Sequence, residues 1–258
     1  MAFDLDAYCT RIGYTGSREV SPATLHGLHL AHTHTVPFEN LDIHLGHPLS
    51  LDAPDLFAKI VSRKRGGYCY EVNSCFALLL QALGFQVQGL LARVLDGFAT
   101  LRPRSHQLLV VTVEDESWIA DVGFGRNSLR APLRLTPDVV DQQGPDTFCL
   151  RSEAGQVFCL QKVREGHWHD LYAFTLEPYL PVDYVPLNYW NSTSPDSLFT
   201  QKKICTMPTI TGRIVAVDTE FTIHTHEITH TIQARSPTEY IQLLQEYFGL
   251  EIEGTFIR

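Results

Sequence analysis

Arg65-Gly66-Gly67-Tyr68-Cys69-Tyr70-Glu71-Val72-Asn73 is the stretch on which the fold reading turns, because the chain changes character on either side of it. Just after its glycines, Val72, Phe76, Leu79, Leu80 and Leu83 recur at helical spacing, and Gly84 follows as a C-cap. Upstream the signals are also helical. Residues 4–12 form a short helical pattern ending at Gly13. Ser21 and Pro22 open a helix running to about His34, and 55–63 reads as a third. Pro37 closes the second of these, and Gly46, His47 and Pro48 mark a turn.

Downstream of residue 84 the hydrophobic period falls from helical to two. Residues 85–94, 106–113 and 118–122 read as strands, followed by 147–151, 157–163 and 167–174. Residues 178–200 are rich in proline, serine and asparagine and read as a connector or long loop. The last portion predicts strands at 203–208, 213–218 and 221–226. A helix over 236–248 follows, with Ser236, Pro237 and Glu239 in a capping pattern. The expectation is an α+β chain with a helical part over 1–83, a β-rich part over 84–190 and an α/β end over 191–258. No internal repeat interrupts it.

With 258 residues, 44% hydrophobic and 19% charged, the chain has the balance of a folded globular protein. A net charge of -9 argues against general nucleic-acid binding, which needs a basic face. The densest basic patch, Arg63-Lys64-Arg65, could meet an anionic cofactor or be a solvated loop. The cysteines at 9, 69, 75, 149, 159 and 205 make no CxxC pair, so they read as free thiols of a reducing compartment. The acidic N-terminus is not that of a signal peptide, and no apolar run is long enough to span a bilayer. A soluble, cytoplasmic protein without membrane partners is expected.

Within the quoted stretch, Cys69 falls in the first turn of the predicted helix, where free N–H groups and the helix dipole favour a thiolate. The Cys69 and Tyr70 N–H groups are candidates for holding an oxyanion. A nucleophilic thiolate needs a base, and the base an orienting group. His106 begins one strand and Asp121 ends the next. In an antiparallel hairpin through the turn at 114–117, opposed residues have numbers summing to about 228–230. His106 and Asp121 therefore become neighbours at one end of it. Alone, such a cysteine is usually buried core, such a histidine a surface or core residue, and an aspartate before glycine a turn. Jointly they point to cysteine nucleophile chemistry.

The quoted stretch resembles the signature of the arylamine N-acetyltransferases, and other segments extend the likeness over nearly the whole chain. These are Tyr8-Cys-Thr-Arg-Ile-Gly13, Leu25-His-Gly-Leu-His-Leu-Ala-His32 and Val36-Pro-Phe-Glu-Asn-Leu-Asp-Ile43. Ser105-His106 and Asp121-Val-Gly-Phe-Gly125 continue it, as does 198–209 followed by Gly212-Arg213. The resemblance implies a helical bundle, a central β-barrel and an α/β lid around a transglutaminase-like cysteine triad. It implies Cys69 as nucleophile, His106 as base and Asp121 as orienting carboxylate. It further implies acetyl-coenzyme A as co-substrate, an arylamine or hydrazine acceptor, and a ping-pong cycle through an acetyl-cysteine. Phe38, Phe124 and Gly125 match acceptor-pocket positions. Thr209 matches a position near the pantetheine arm of the cofactor. Arg65, Glu39 and Asn40 resemble a buried polar network that fixes the loop before the cysteine, and Arg102, Arg104 and Arg63 to Arg65 suit coenzyme A phosphates.

Two rival enzymes share these residues: a transglutaminase-like thiol hydrolase, and an amide synthase that joins a biosynthetic acyl chain to an aromatic amine. A different class would be a metal-binding or interaction protein, using His26, His29 and His32 at helical spacing or His224, His226 and His230 on one strand face. No acidic or cysteine partner completes either set, so no metal is expected. Cys75, off the helical face of Cys69, is expected in the core.

Overall fold

The computed structural model describes residues 3–97, 99–153, 155–225 and 228–256. Helix α1 (Leu5–Ile12) is capped by Asp4, whose carboxylate accepts the Ala7 N–H, and ends at Gly13 in the left-handed conformation. Helix α2 (Pro22–Thr33) begins at the expected Ser21 cap. Short helices α3 (Leu41–Leu45) and α4 (Ala53–Phe57) follow, the latter running into a π-helical turn at Ala58–Ser62. Helix α5 (Cys69–Ala82) starts at the cysteine itself. Phe76, Leu79 and Leu80 pack it against Leu25 and Leu28 of α2, Ile60, and Val111 of the strands beyond. Cys75 is fully buried in this core.

Strand β1 (Phe38–Glu39) lies among the helices in sequence. The next strands are β2 (Gln86–Val94), β3 (Arg104–Val113), β4 (Glu116–Ala120), β5 (Leu133–Arg134) and β6 (Val140–Gln143). After them come β7 (Asp146–Glu153), β8 (Val157–Arg164) and β9 (His167–Phe174). Strands β2 to β9 form one antiparallel sheet in the order β5-β4-β3-β2-β9-β8-β7-β6, curled into a nearly closed barrel. Leu90, Leu108, Phe148, Leu160 and Phe174 alternate into its interior, as period-two patterning requires. Leu109 pairs with Ala120 across β3 and β4, so the hairpin register sums to 229, inside the expected range.

The expected loop over 178–200 is instead largely helical, with α6 (Pro181–Thr193) and α7 (Leu198–Gln201). Pro181 occupies the first turn, and the Asp183 carboxylate caps the Leu180 N–H at 2.8 Å. The pattern misleads because the buried face of α6 is polar. Tyr184, Asn188 and Asn191 point inward, while Val182, Val185 and Tyr189 face solvent. Asn188 accepts a short hydrogen bond from the Tyr68 hydroxyl and donates to the Leu49 carbonyl at 3.0 Å. These polar bonds seat the helix together with Tyr184 and Leu187, which pack on Tyr68, Tyr70 and Leu91.

Strands β10 (Ile204–Thr209), β11 (Gly212–Val217), β12 (Glu220–His224) and β13 (Thr229–Gln233) complete a second sheet, ordered β1-β10-β11-β12-β13. Helix α8 (Pro237–Phe248) covers it through Tyr240, Leu244 and Phe248, opened by the Ser236 cap. Because β1 pairs with β10 (Phe38 opposite Thr206), the loop before α5 is tied directly to this sheet. Among the described residues, no helix is long and apolar enough to cross a membrane.

Candidate active site

The chain before α5 has almost no freedom. The Gly67 carbonyl accepts the Glu39 N–H at 3.0 Å, and a Cβ on Gly66 would stand 2.0 Å from the Pro37 carbonyl oxygen. Only glycine allows that approach. Beneath the loop lies a buried ion network. Arg65 meets Glu39 at 2.8 Å and Asp42 at 3.1 Å, and Lys59 meets Asp42 at 2.9 Å and Glu71 at 2.7 Å. Glu71 also accepts the Tyr68 N–H at 3.1 Å, which caps α5. Burial works against the Lys59 ammonium, but Glu71, Glu39 and Asp42 outweigh it and hold the group above its ordinary value. Arg65 and Glu39 thus join as expected. Asn40 does not join them; its amide donates to the Phe199 and Lys202 carbonyls at 2.8 Å and accepts the Ile204 N–H at 2.7 Å. It stitches this loop to the chain entering β10. Arg65 is consumed by its carboxylates, so it is not a free phosphate ligand.

The hairpin delivers the partners of Cys69. His106 lies on β3 and Asp121 one residue beyond β4. His106 Nε2–H donates to Asp121 Oδ2 at 2.7 Å, with both side chains buried. That leaves Nδ1 as the ring nitrogen for the thiol. Burial opposes the imidazolium. The Asp121 carboxylate and hydrogen bonding to Cys69 more than offset it, bringing His106 up to about 10. Burial likewise opposes the Asp121 carboxylate, but His106, the Asn73 amide and the Gly123 N–H hold it below its ordinary value. Cys69 itself is buried at the start of α5, its Sγ 4.0 Å from the Ser105 carbonyl oxygen.

Three residues not read from sequence as part of the active site complete the scaffold. Asn73 lies one helical turn after Cys69. It donates to Asp121 Oδ1 at 3.1 Å and to the Gln107 carbonyl at 2.7 Å, and accepts the Val122 N–H at 3.0 Å. One side chain thereby locks α5 to both hairpin strands, and its i+4 spacing from the cysteine was the available clue. His29 accepts the Asp121 backbone N–H at Nε2, 3.2 Å away; burial takes its basicity down to about 4, so the ring is the neutral acceptor this bond needs. Tyr172 packs 5.1 Å from the His106 ring and 4.7 Å from Phe124, centroid to centroid. Gly123 is required as well: a Cβ there would come within 2.9 Å of Cys69 Cα.

A cavity of about 450 Å³ opens on this scaffold. Cys69, His106, Phe38, Phe124 and Gly125 line it together, with Asp121 behind His106. Trp190 and Phe199, from the segment expected to be loop, close its other side, and Arg102 and Lys202 also reach it. Thr209 does not line the cavity. It stands at the end of β10, where its carbonyl accepts a hydrogen bond from Arg130. The histidine triplets separate. His29 and His32 are buried, the latter bonded to the Tyr8 hydroxyl at 2.8 Å, whereas His26, His224 and His230 are exposed. His226 lies outside the described residues, and among those described no group of three His, Cys, Asp or Glu could hold a metal ion.

A thiol at a helix start, a buried imidazole–carboxylate pair and a largely apolar cavity beside them are parts that covalent acyl transfer requires. A family model described as N-acetyltransferase matches residues 22–257. The chain is 38% identical to an arylamine N-acetyltransferase of Escherichia coli, over 96% of this chain and 89% of that one. Its fold is similar to the arylamine N-acetyltransferase structure from Salmonella typhimurium, with a TM-score of 0.91, 36% identity and coverage of 97% and 92%. It is also similar to the Mycobacterium marinum enzyme solved in complex with CoA, with a TM-score of 0.89, 31% identity and coverage of 96% and 93%.

Proposed function

The chain belongs to the arylamine N-acetyltransferase family and is an acyltransferase; from that premise we propose that Cys69, His106 and Asp121 carry acetyl from acetyl-coenzyme A to an arylamine or arylhydrazine. The observation that carries the residue roles is the 2.7 Å His106–Asp121 pair, buried beside a cysteine on the cavity wall. The CoA complex of the Mycobacterium marinum relative supports the choice of donor.

The cycle has two half-reactions. Cys69 Sγ attacks the thioester carbonyl, with the Cys69 and Tyr70 N–H groups stabilising the oxyanion at the helix start. The carbon–sulfur bond to coenzyme A breaks, and the His106 imidazolium supplies the proton that the leaving thiolate takes. An amine then attacks the acetyl-cysteine, His106 removes its proton, and the amide leaves as the Cys69 thiolate is restored. Exchange of one thioester for another is nearly isoenergetic. Arylamines and hydrazines are uncharged near neutral pH, so they attack without first losing an ammonium proton. Asp121 keeps the ring orientation through both steps and balances the imidazolium charge.

Phe38, Phe124 and Gly125 form the acceptor wall in this reading. The division at 1–83, 84–190 and 191–258 belongs to it too, with the cavity at the junction of the three parts. Initial rates with varied acetyl-coenzyme A and arylamine test the cycle. Parallel double-reciprocal lines support it, and lines that converge exclude an acetyl-enzyme released from its donor before the amine binds.

A further inference from the structure

Helix α6 is turned the opposite way from an ordinary surface helix. Val182, Val185, Pro186 and Tyr189 stand at i, i+3, i+4 and i+7, the apolar stripe that a helix usually lays on a core. Here the stripe is outside. Val182 is 67% exposed, Val185 52% and Tyr189 70%, while Asn188 and Asn191 are buried. Leu180 at the N-cap is exposed as well, and Trp190 with Leu198 of α7 carries the patch to the rim of the cavity that holds Cys69. The open surface of these residues is on the order of 700 Å², above the roughly 300–600 Å² of the largest patch on a typical monomer.

The patch is also uncharged. Between Pro178 and Ser197 the charged residues are Asp183 and Asp196 alone. The Asp183 carboxylate is committed to the Leu180 N–H at 2.8 Å, and Asp196 lies beyond the helix end. A face without Lys or Arg does not suit an anionic bilayer, which surface-lying helices meet with basic side chains, and the net charge of -9 adds to the mismatch. It does suit its own copy. A two-fold axis presents the patch to itself, and a stripe free of charge meets itself without repulsion. Two antiparallel α6 helices would also oppose their dipoles while interleaving valine and tyrosine ridges. The area is close to the about 800 Å² that each partner gives to a standard interface. Ion pairs stand at the margins, Arg104 with Glu177 before the helix and Lys202 with Asp218 after α7. An apolar centre with a polar rim is the usual anatomy of a protein contact.

We propose that the chain forms a two-fold homodimer through the outward face of α6, with Val182, Val185 and Tyr189 at its centre. Because Trp190 and Leu198 belong both to the patch and to the cavity wall, the second copy stands at the rim of the active-site cavity.

Size-exclusion chromatography with light scattering tests this on the whole protein from about 1 to 100 µM. Twice the chain mass is expected, falling toward the monomer only at the lowest concentrations. Val185→Glu sets like charges across the axis, and Tyr189→Lys does so with the other sign. Each should raise the dissociation constant at least about 100-fold, and mixing the two variants should recover the dimer. Both positions face solvent, so thermal midpoints should stay near wild type. Val140→Glu, equally exposed but on β6 at the far edge of the barrel sheet, should leave the mass unchanged. A wild type that stays monomeric throughout would overturn the proposal, and flotation of that monomer with phosphatidylcholine vesicles would give the face to lipid instead. A dimer that survives both α6 substitutions, or that Val140→Glu dissociates as readily, would overturn it too.

Discussion

Two buried charge clusters meet at the start of α5, and they differ in what they face. Behind the helix, Glu39, Asp42, Lys59, Arg65 and Glu71 close on one another in the protein interior. In front, His106 and Asp121 form a smaller cluster, but His106 opens onto a cavity that also holds Cys69. Ionic strength of pairing does not separate them, since contacts of 2.7 Å occur in both. The difference teaches that, in the proposed cycle, a buried ion pair serves chemistry where a thiol and a cavity adjoin it, while the closed cluster fixes backbone.

The largest expected effect belongs to the front cluster. Cys69→Ala should lower acetyl transfer by at least about 10⁴-fold, as loss of a nucleophile does, with the thermal midpoint nearly unchanged. Asp121→Asn should follow at about 10³- to 10⁴-fold in kcat, because the amide favours the wrong ring orientation and removes the counter-charge. A steady-state assay that finds either variant within tenfold of wild type would erase the distinction between the clusters.

The rear cluster should respond in stability. Lys59→Met leaves Asp42 and Glu71 buried without their shared cation, and denaturant unfolding should record a loss of about 3–5 kcal/mol. Activity per folded molecule should fall far less than in Asp121→Asn. A kcat loss as deep as that of Asp121→Asn, at unchanged stability, would assign catalysis to the wrong cluster.

The front pair also predicts a pH signature. His106 sits near 10 in the fold against about 6.5 in an unfolded chain. Its folded value is raised, so the pair's contribution to stability is fully present below about pH 6.5 and is lost as pH rises through about 10. Wild type should lose thermal stability over that window, and Asp121→Asn should lose much less; equal slopes would refute the pairing. The smallest effect is expected from Phe124→Ala, which removes a ring packed on His106 and Tyr172. A KM for arylamine raised about tenfold, with the KM for acetyl-coenzyme A changed less, would mark it as acceptor wall.

Much of the front cluster was legible, because its members lie on local signals. Gly66-Gly67 before Cys69 announced a helix start, and the spacing of His106 and Asp121 announced the register, although the turn expected over 114–117 is only Glu114-Asp115, with Glu116 and Ser117 already paired in β4. The rest depended on distant chain crossings. Asp42 on α3 and Lys59 on the π turn after α4 carry no pattern of their own, and only the packing of these elements with α5 lets Lys59 join Asp42 to Glu71. His29 stood in a triplet read as packing or surface rather than metal ligation, and its specific neighbour, a backbone N–H 92 residues away, has no local signal. Helix α6 was hidden by its asparagine-lined inner face, so Trp190 could not be placed on the cavity from sequence. The sequence-dense basic patch Arg63-Lys64-Arg65 proved to hold a structural arginine, paired with Glu39 and Asp42.

The central claim is that Cys69 becomes acetylated. Purified wild type and Cys69→Ala, mixed with acetyl-coenzyme A without amine, would be compared by intact mass. The account predicts one added acetyl group on the wild type alone, released when an arylamine is supplied. An unmodified wild type, or an adduct of equal extent on Cys69→Ala, would contradict it.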